Sequence, residues 1–230
     1  MRPIKIDKQT KFIHLPVALL STIVILFFAL GIFGDSHNNI NRIDGIILVT
    51  LYFVYFLYPI IIEIKDMSKT LEENKKKHKK TRSIFTSFIG ITLGILALKY
   101  GGDFVVDKAT EIATIYGVPE RVIGLTIVAI GTALPELITS IIAVINKEEG
   151  LAVGNLIGSC ILNSFLILGV GAIITPLAFS EEFIYNLLLL TFTISLILAF
   201  CFVGKKNTIN RYQGGVLLIL FVLYMIKLFV

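Results

Sequence analysis

The chain has 230 residues, 56% of them hydrophobic and 16% charged, with no tryptophan, and a mean hydropathy of +0.87. A soluble domain carries about 25% charged residues, so this balance excludes an ordinary water-soluble fold and points to a membrane protein in a lipid bilayer. The net charge of +5 is concentrated in a few segments, where it acts as a topology signal; no nucleic-acid partner is expected from it.

Seven stretches are long and apolar enough to span a hydrocarbon core of about 30 Å. In chain order they are residues 15–33, 45–64, 84–100, 122–145, 151–175, 183–203 and 214–230. The first follows a basic tail without a small-residue cleavage site, so it reads as a span and not as a removed signal peptide. Counting alternate sides of the membrane, sixteen Lys and Arg residues gather on one face: the N-terminal tail, the basic run around Lys75–Lys80, Lys147, and the segment with Lys205, Lys206 and Arg211. Three, Arg42, Lys108 and Arg121, fall on the other. The positive-inside rule then predicts a multi-pass cell-membrane protein with a cytoplasmic N-terminus and an external C-terminus.

The chain also resembles itself. Ile40-Asn41-Arg42-Ile43-Asp44-Gly45 opens the second span, and Ile209-Asn210-Arg211-Tyr212-Gln213-Gly214 opens the last. Upstream, Arg2-Pro3-Ile4 before the first span parallels Thr175-Pro176-Leu177 before the sixth. The expected fold class is therefore an all-α membrane protein: residues 84–230 form one complete five-helix repeat, and residues 1–64 form the last two helices of a preceding one. Residues 65–83 are the polar, basic cytoplasmic linker between them. Five spans separate equivalent points, so the copies lie in opposite orientations, the pattern of inverted repeats that place an ion site at their interface. On this count the first three helices of the first copy precede the point where the chain begins.

The fourth span carries Ile130-Gly131-Thr132-Ala133-Leu134-Pro135-Glu136 at mid-membrane depth. A carboxylate there costs about 2.5–3.5 kcal/mol on insertion scales and needs a compensating partner, so Glu136 defaults to a functional role. No basic residue lies at its depth in the seven spans. Thr132 and Glu136, four apart, share one helix face. Pro135 lacks an amide proton, which leaves the carbonyl of Gly131 without its helical donor. Carboxylate, hydroxyl and loosened carbonyl are all oxygen ligands, the donor set that Ca²⁺ and Na⁺ prefer. In the fifth span Asn155, Ser159 and Asn163 recur every four residues as a polar stripe, with Gly154 and Gly158 beside it able to admit a neighbouring helix. An Asn or Ser in a span is more often interhelical glue than an ion ligand, whereas the carboxylate is not so easily dismissed. Thr126, Thr139 and Ser140 are expected to pack or to bond back to the i−4 carbonyl. Cys160 and Cys201 suggest neither a disulfide nor a metal pair, and His14, His37 and His78 are expected outside the spans.

The runs from Gly124 to Glu136 and from Gly154 to Asn163 resemble an alpha-repeat of the sodium/calcium exchanger family, within the calcium/cation antiporter superfamily. The resemblance implies ten helices in two inverted halves, each giving a signature helix pair to a central cation cluster. It implies that Glu136 bridges Ca²⁺ and Na⁺ sites, that Thr132 and Ser159 donate oxygen to Na⁺, and that Asn155 and Asn163 belong to the same signature. Two departures stand out: Ala133 occupies a position that usually holds Ser, and the other half's signature pair is not in this chain. The expected function is secondary antiport of Ca²⁺ against Na⁺, with no resident cofactor and no enzymatic step. Proton-coupled exchange, a partner chain or second copy supplying the first repeat, and a transport-incompetent fragment remain open alternatives.

Overall fold

The structure, a computed structural model, describes residues 4–31, 39–70, 84–203 and 208–229. The described residues form seven long helices and two short strand pairs. Strand β1 (Ile4–Lys5) leads into α1 (Thr10–Ala29), whose first turn, Thr10–His14, is a π-turn. The Asp7 carboxylate accepts a hydrogen bond from the Thr10 amide at 2.9 Å, satisfying one of the donors a helix start leaves open. Strand β2 (Asn39–Ile40) precedes α2 (Arg42–Thr70), followed by α3 (Ile84–Ile115). Helix α4 occupies residues 120–145, with a π-turn over Gly124–Val128 inside it. Helix α5 (Glu149–Ile174) carries a second π-turn, Leu162–Ile167. Strand β3 (Leu177–Ala178), α6 (Glu181–Phe202), β4 (Thr208–Ile209) and α7 (Arg211–Phe229) complete the order.

Six of the described helices are long and apolar enough to cross a membrane, and the seventh predicted span is helical as α7. Span and helix are not the same length, however. Helix α2 continues past residue 64 to Thr70, and α3 past residue 100 to Ile115. Lys65 and Asp66 end the apolar stretch of α2 without ending its helix, and α3 beyond residue 100 stays apolar enough that Phe88–Ile115 is one candidate span. The rest of the expected linker, residues 71–83, lies outside the described residues. Helix α3 stops at Gly117, whose φ of 72° lets the amide of Val118 reach back to the carbonyl of Ala113 at 3.0 Å.

The first helix also starts earlier than its apolar run. His14 therefore lies within α1, where Nδ1 and the Tyr55 hydroxyl are 2.8 Å apart, and the expectation that it sits outside the spans is corrected. His37 and His78 are outside the described residues.

Buried apolar side chains concentrate where α1, α2, α5 and α6 meet, around Ala29, Ile40, Leu48, Ile161, Phe165 and Ala172. Helix α2 lies against the second half of α5, closely enough that a Cβ at Gly45 would stand 2.7 Å from the carbonyl oxygen of Gly169. Helix α4 packs on the first half of α5, and α3 packs on α4. Exposed Ile, Leu, Val and Phe cover the outer faces of α3 and α4, as lipid contact requires.

The strand pairs bear on the internal repeat. Ile4 pairs with Ile209, and Ile40 pairs with Leu177, both antiparallel. These four residues belong to the two matched landmarks of the sequence, and exchanging each for its counterpart turns one pair into the other. The helix starts match as well. The amide of Asn41 donates to Asp44 Oδ2 at 2.9 Å, and that of Asn210 donates to Gln213 Oε1 at 2.8 Å, the same half of a capping box.

Candidate cation site

Helix α4 runs unbroken through Pro135. Its residues Ala129, Thr132, Ala133 and Glu136 form one wall of a cleft of about 800 Å³. Leu156, Ser159, Cys160 and Asn163 of α5 continue that wall, and Phe221, Tyr224 and Met225 of α7 face it. Glu136 is the only carboxylate lining the cleft, and its Oε2 is buried with no hydrogen-bond partner among the described residues. Among the described residues, no arginine or lysine lines the cleft either. A buried acceptor left in that state is costly unless something outside the chain's own donors meets it.

The hydroxyls are arranged to accept rather than to donate into the cleft. Thr132 Oγ1 donates to the carbonyl of Ala129 at 3.0 Å, and Ser159 Oγ donates to that of Leu156 at 3.1 Å. Each proton is thereby committed to the backbone, which leaves oxygen lone pairs for a cation. Asn163 stands in the π-turn of α5, directly after the α-helical half that carries Ser159. Such turns re-aim side chains and recur at functional positions.

Two expected site residues are elsewhere. Asn155 turns toward α4, and its Nδ2 donates to the Glu136 carbonyl and to Ser140 Oγ, both at 3.2 Å. A four-residue step overshoots a full helical turn by about 40°, so a stripe of three such positions drifts by about 80° from end to end. Asn155 thus clamps α5 to α4 beneath the cleft while Ser159 and Asn163 look into it. Gly131 is buried against α3, where an added Cβ would clash with Val106 Cγ2. Its carbonyl lies toward Gly102 of α3, and the residue is not part of the cleft lining. Pro135 still removes that carbonyl's helical donor, but not on the cation side.

Gly154 and Gly158 have no close neighbour among the described residues; a Cβ at either would meet none of them within 4 Å. Thr126 and Thr139 bond back to the carbonyls of Val122 and Pro135, as expected of hydroxyls in apolar helices. Ser140 instead faces α5, with Ala152 O at 3.5 Å. Cys160 and the α7 residues are cleft components that local sequence reading does not flag. The spacing of Phe221, Tyr224 and Met225 at i, i+3 and i+4 marks one face of α7, but nothing local tells what it faces.

Comparison with known proteins agrees with this architecture. Residues 86–230 match the family described as sodium/calcium exchanger protein. Putative antiporter CaxA of Alkalimonas amylolytica is 31% identical over 238 residues, covering 100% of this chain and 71% of that protein. Uncharacterized membrane protein MJ0091 of Methanocaldococcus jannaschii is 31% identical, covering 96% and 67%. Sodium/calcium exchanger MaX1 of Methanosarcina acetivorans is 36% identical over 148 residues, covering 64% and 41%. Among solved structures, the sodium-calcium exchanger NCX_Mj soaked with Na⁺ and Ca²⁺ superimposes with a TM-score of 0.72 at 27% identity, covering 96% of this chain and 66% of that one. The chain thus spans about two thirds of the solved exchanger, and it is a multi-pass membrane protein belonging to the sodium/calcium exchanger family.

Proposed function

We propose that this chain forms one wall of a secondary antiporter that exchanges Ca²⁺ for Na⁺. The observation that carries the reading is the buried, unpartnered Oε2 of Glu136 in a cleft whose other α4 and α5 polar groups are Thr132, Ser159 and Asn163. A carboxylate with neutral oxygens around it suits either ion. One carboxylate balances a single Na⁺ and leaves a bound Ca²⁺ with one uncompensated positive charge, so the Ca²⁺ state calls for a further anionic oxygen from the open side of the cleft. Glu136 is the shared ligand, and the Thr132 and Ser159 hydroxyls supply Na⁺ oxygens. Asn163 offers a carbonyl oxygen, and Asn155 holds the two helices in register. Ala133 presents only a methyl to the cleft, so one hydroxyl of the family pattern is replaced by apolar surface.

These side chains cannot complete a Ca²⁺ shell of 6–8 oxygens by themselves, so the remaining ligands come from water or from protein on the open side of the cleft. Exposing such a site to each side of the membrane in turn lets Na⁺ entry drive Ca²⁺ out, helped by about 2.3 kcal/mol per charge for each 100 mV.

The test is Na⁺-gradient-driven ⁴⁵Ca²⁺ flux in membrane vesicles from cells expressing the chain, compared with vesicles holding Glu136→Gln. The substitution keeps size and removes charge, and the expected result is loss of the Na⁺-dependent component. Unchanged flux would take Glu136 out of the site. Flux that follows a pH gradient and ignores Na⁺ would replace Na⁺ by H⁺ as the coupled ion.

A further inference from the structure

We propose that the cleft also holds a thiophilic dication of the Zn²⁺ and Cd²⁺ class, bound between the Glu136 carboxylate and the Cys160 thiolate. The starting point is charge. Glu136 is the only carboxylate among the described residues lining the cleft, so against Ca²⁺ this wall is short by one negative charge. Cys160 lines the same cleft and carries a free thiol. Ca²⁺ takes oxygen ligands and leaves the thiol protonated, whereas a zinc-like ion deprotonates a thiol that coordinates it. Binding then converts Cys160–SH and the dication into Cys160–S–metal and a released H⁺. With Glu136 ionised, the bound state is neutral within this chain's own residues, which is what a site removed from bulk water favours.

Position supports the pairing. Ala129, Thr132, Ala133 and Glu136 stand at i, i+3, i+4 and i+7 of α4, and Leu156, Ser159, Cys160 and Asn163 take the same four places on α5. Each helix therefore turns one face to the cleft. The two helices are joined by a short turn, pack together and run antiparallel. The bond from Asn155 Nδ2 to the Glu136 carbonyl, 3.2 Å, sets those two residues level. Cys160 lies five residues on, about 7.5 Å along the axis. Side chains lean toward the N-terminus of their own helix, so on antiparallel neighbours the Glu136 carboxylate and the Cys160 thiol lean toward each other.

Two further observations point to a ligand. Glu136 Oε2 is buried with no hydrogen-bond partner among the described residues, the state of an acceptor met from outside the chain. The thioether of Met225 on α7 lines the cleft as well, a second soft donor of the kind such ions select. No group of three His, Cys, Asp or Glu gathers among the described residues, so Glu136 and Cys160 make an open site, completed by Met225, the Ser159 hydroxyl or water. A structural zinc site closes with four protein ligands; an open one suits an ion that comes and goes. While it is occupied, Glu136 is withheld from Ca²⁺. The part played by Glu136 rests on the exchanger reading above, whereas the thiolate bond does not.

The experiment titrates the full chain, extracted from its native membrane into detergent, with Cd²⁺. The parent is expected to show the ultraviolet charge-transfer band of a thiolate–Cd²⁺ bond. It is also expected to release one proton per ion bound, read by calorimetry in two buffers of different ionisation enthalpy; Ca²⁺ gives neither signal. Cys160→Ser is expected to lose the band, and Cys201→Ser, whose residue is buried and does not line the cleft, to keep it. Glu136→Gln is expected to weaken Cd²⁺ binding by more than the roughly tenfold that losing an outer partner of a metal ligand costs. No band in the parent, binding without proton release, a band that survives Cys160→Ser, or unchanged affinity in Glu136→Gln would overturn the proposal. Neither signal needs transport. A normal band in a chain without Na⁺-dependent Ca²⁺ flux would sink the exchanger reading alone, and flux without the band would sink the thiolate site alone.

Discussion

Glu136 and Gly131 stand five residues apart on α4, about 140° around the helix, and that angle separates chemistry from packing. One looks into the cleft; the other lets α3 approach. Gly131→Ala drives a Cβ into Val106 Cγ2, and overpacking of this kind costs about 1–3 kcal/mol. The expected result is a lower Tm in detergent, largely recovered in the double variant Gly131→Ala with Val106→Ala. A single variant that melts with the parent would show that α3 does not lie against α4 as described. The polar cleft residues Thr132, Glu136, Ser159 and Asn163 were legible in the sequence, because a carboxylate in an apolar run and a four-residue period are local signals. Asn155 was misplaced by the drift of that same period, and Gly131 because a freed carbonyl does not reveal which neighbour it meets. Cys160, Phe221, Tyr224 and Met225 enter the cleft through tertiary contact alone.

At the scale of elements, the two capping boxes and the two strand pairs are what make the repeat physical. Asp44 and Gln213 do equivalent work at opposite ends of the molecule, each accepting from the amide three residues before it. Replacing either by alanine removes a cap worth about 1 kcal/mol. Both Asp44→Ala and Gln213→Ala are therefore expected to lower the Tm, Gln213→Ala by more because its Nε2 also donates to the Val203 carbonyl at 3.2 Å, and their effects to add, since the sites share no partner. No loss at one of the two sites, or strongly coupled losses, would mean that the matched sequences do not hold matched caps. Helix existence and order were readable from apolar length. Helix ends were not: polarity marks where lipid contact stops, while α2 and α3 run on into polar sequence until a breaker such as Gly117 intervenes. The strand pairs, two residues each, carry no period long enough to detect.

For the whole molecule, hydrogen bonds fix which segments share a face. Lys5 N donates to Glu149 Oε2 at 2.7 Å, Lys11 Nζ donates to Cys201 O at 2.7 Å, and β1 pairs with β4. The N-terminal tail, the α4–α5 turn and the segment before α7 therefore lie together, as alternate counting of spans requires. Their shared basic charge leads us to expect that face in the cytoplasm. In a chain with Cys160→Ala and Cys201→Ala, Tyr116→Cys, on the α3–α4 turn and 82% exposed in the parent, is expected to react with a membrane-impermeant maleimide on intact cells. Lys147→Cys, on the α4–α5 turn, is expected to react only after permeabilisation. The reverse pattern would invert the whole molecule. Neutralising Lys75–Lys77, Lys79 and Lys80 still leaves eleven basic residues against three, so the labelling pattern is expected to survive that change. Orientation that flipped on removing this one run would mean that a single linker, and not the distributed charge of four segments, holds the chain in place.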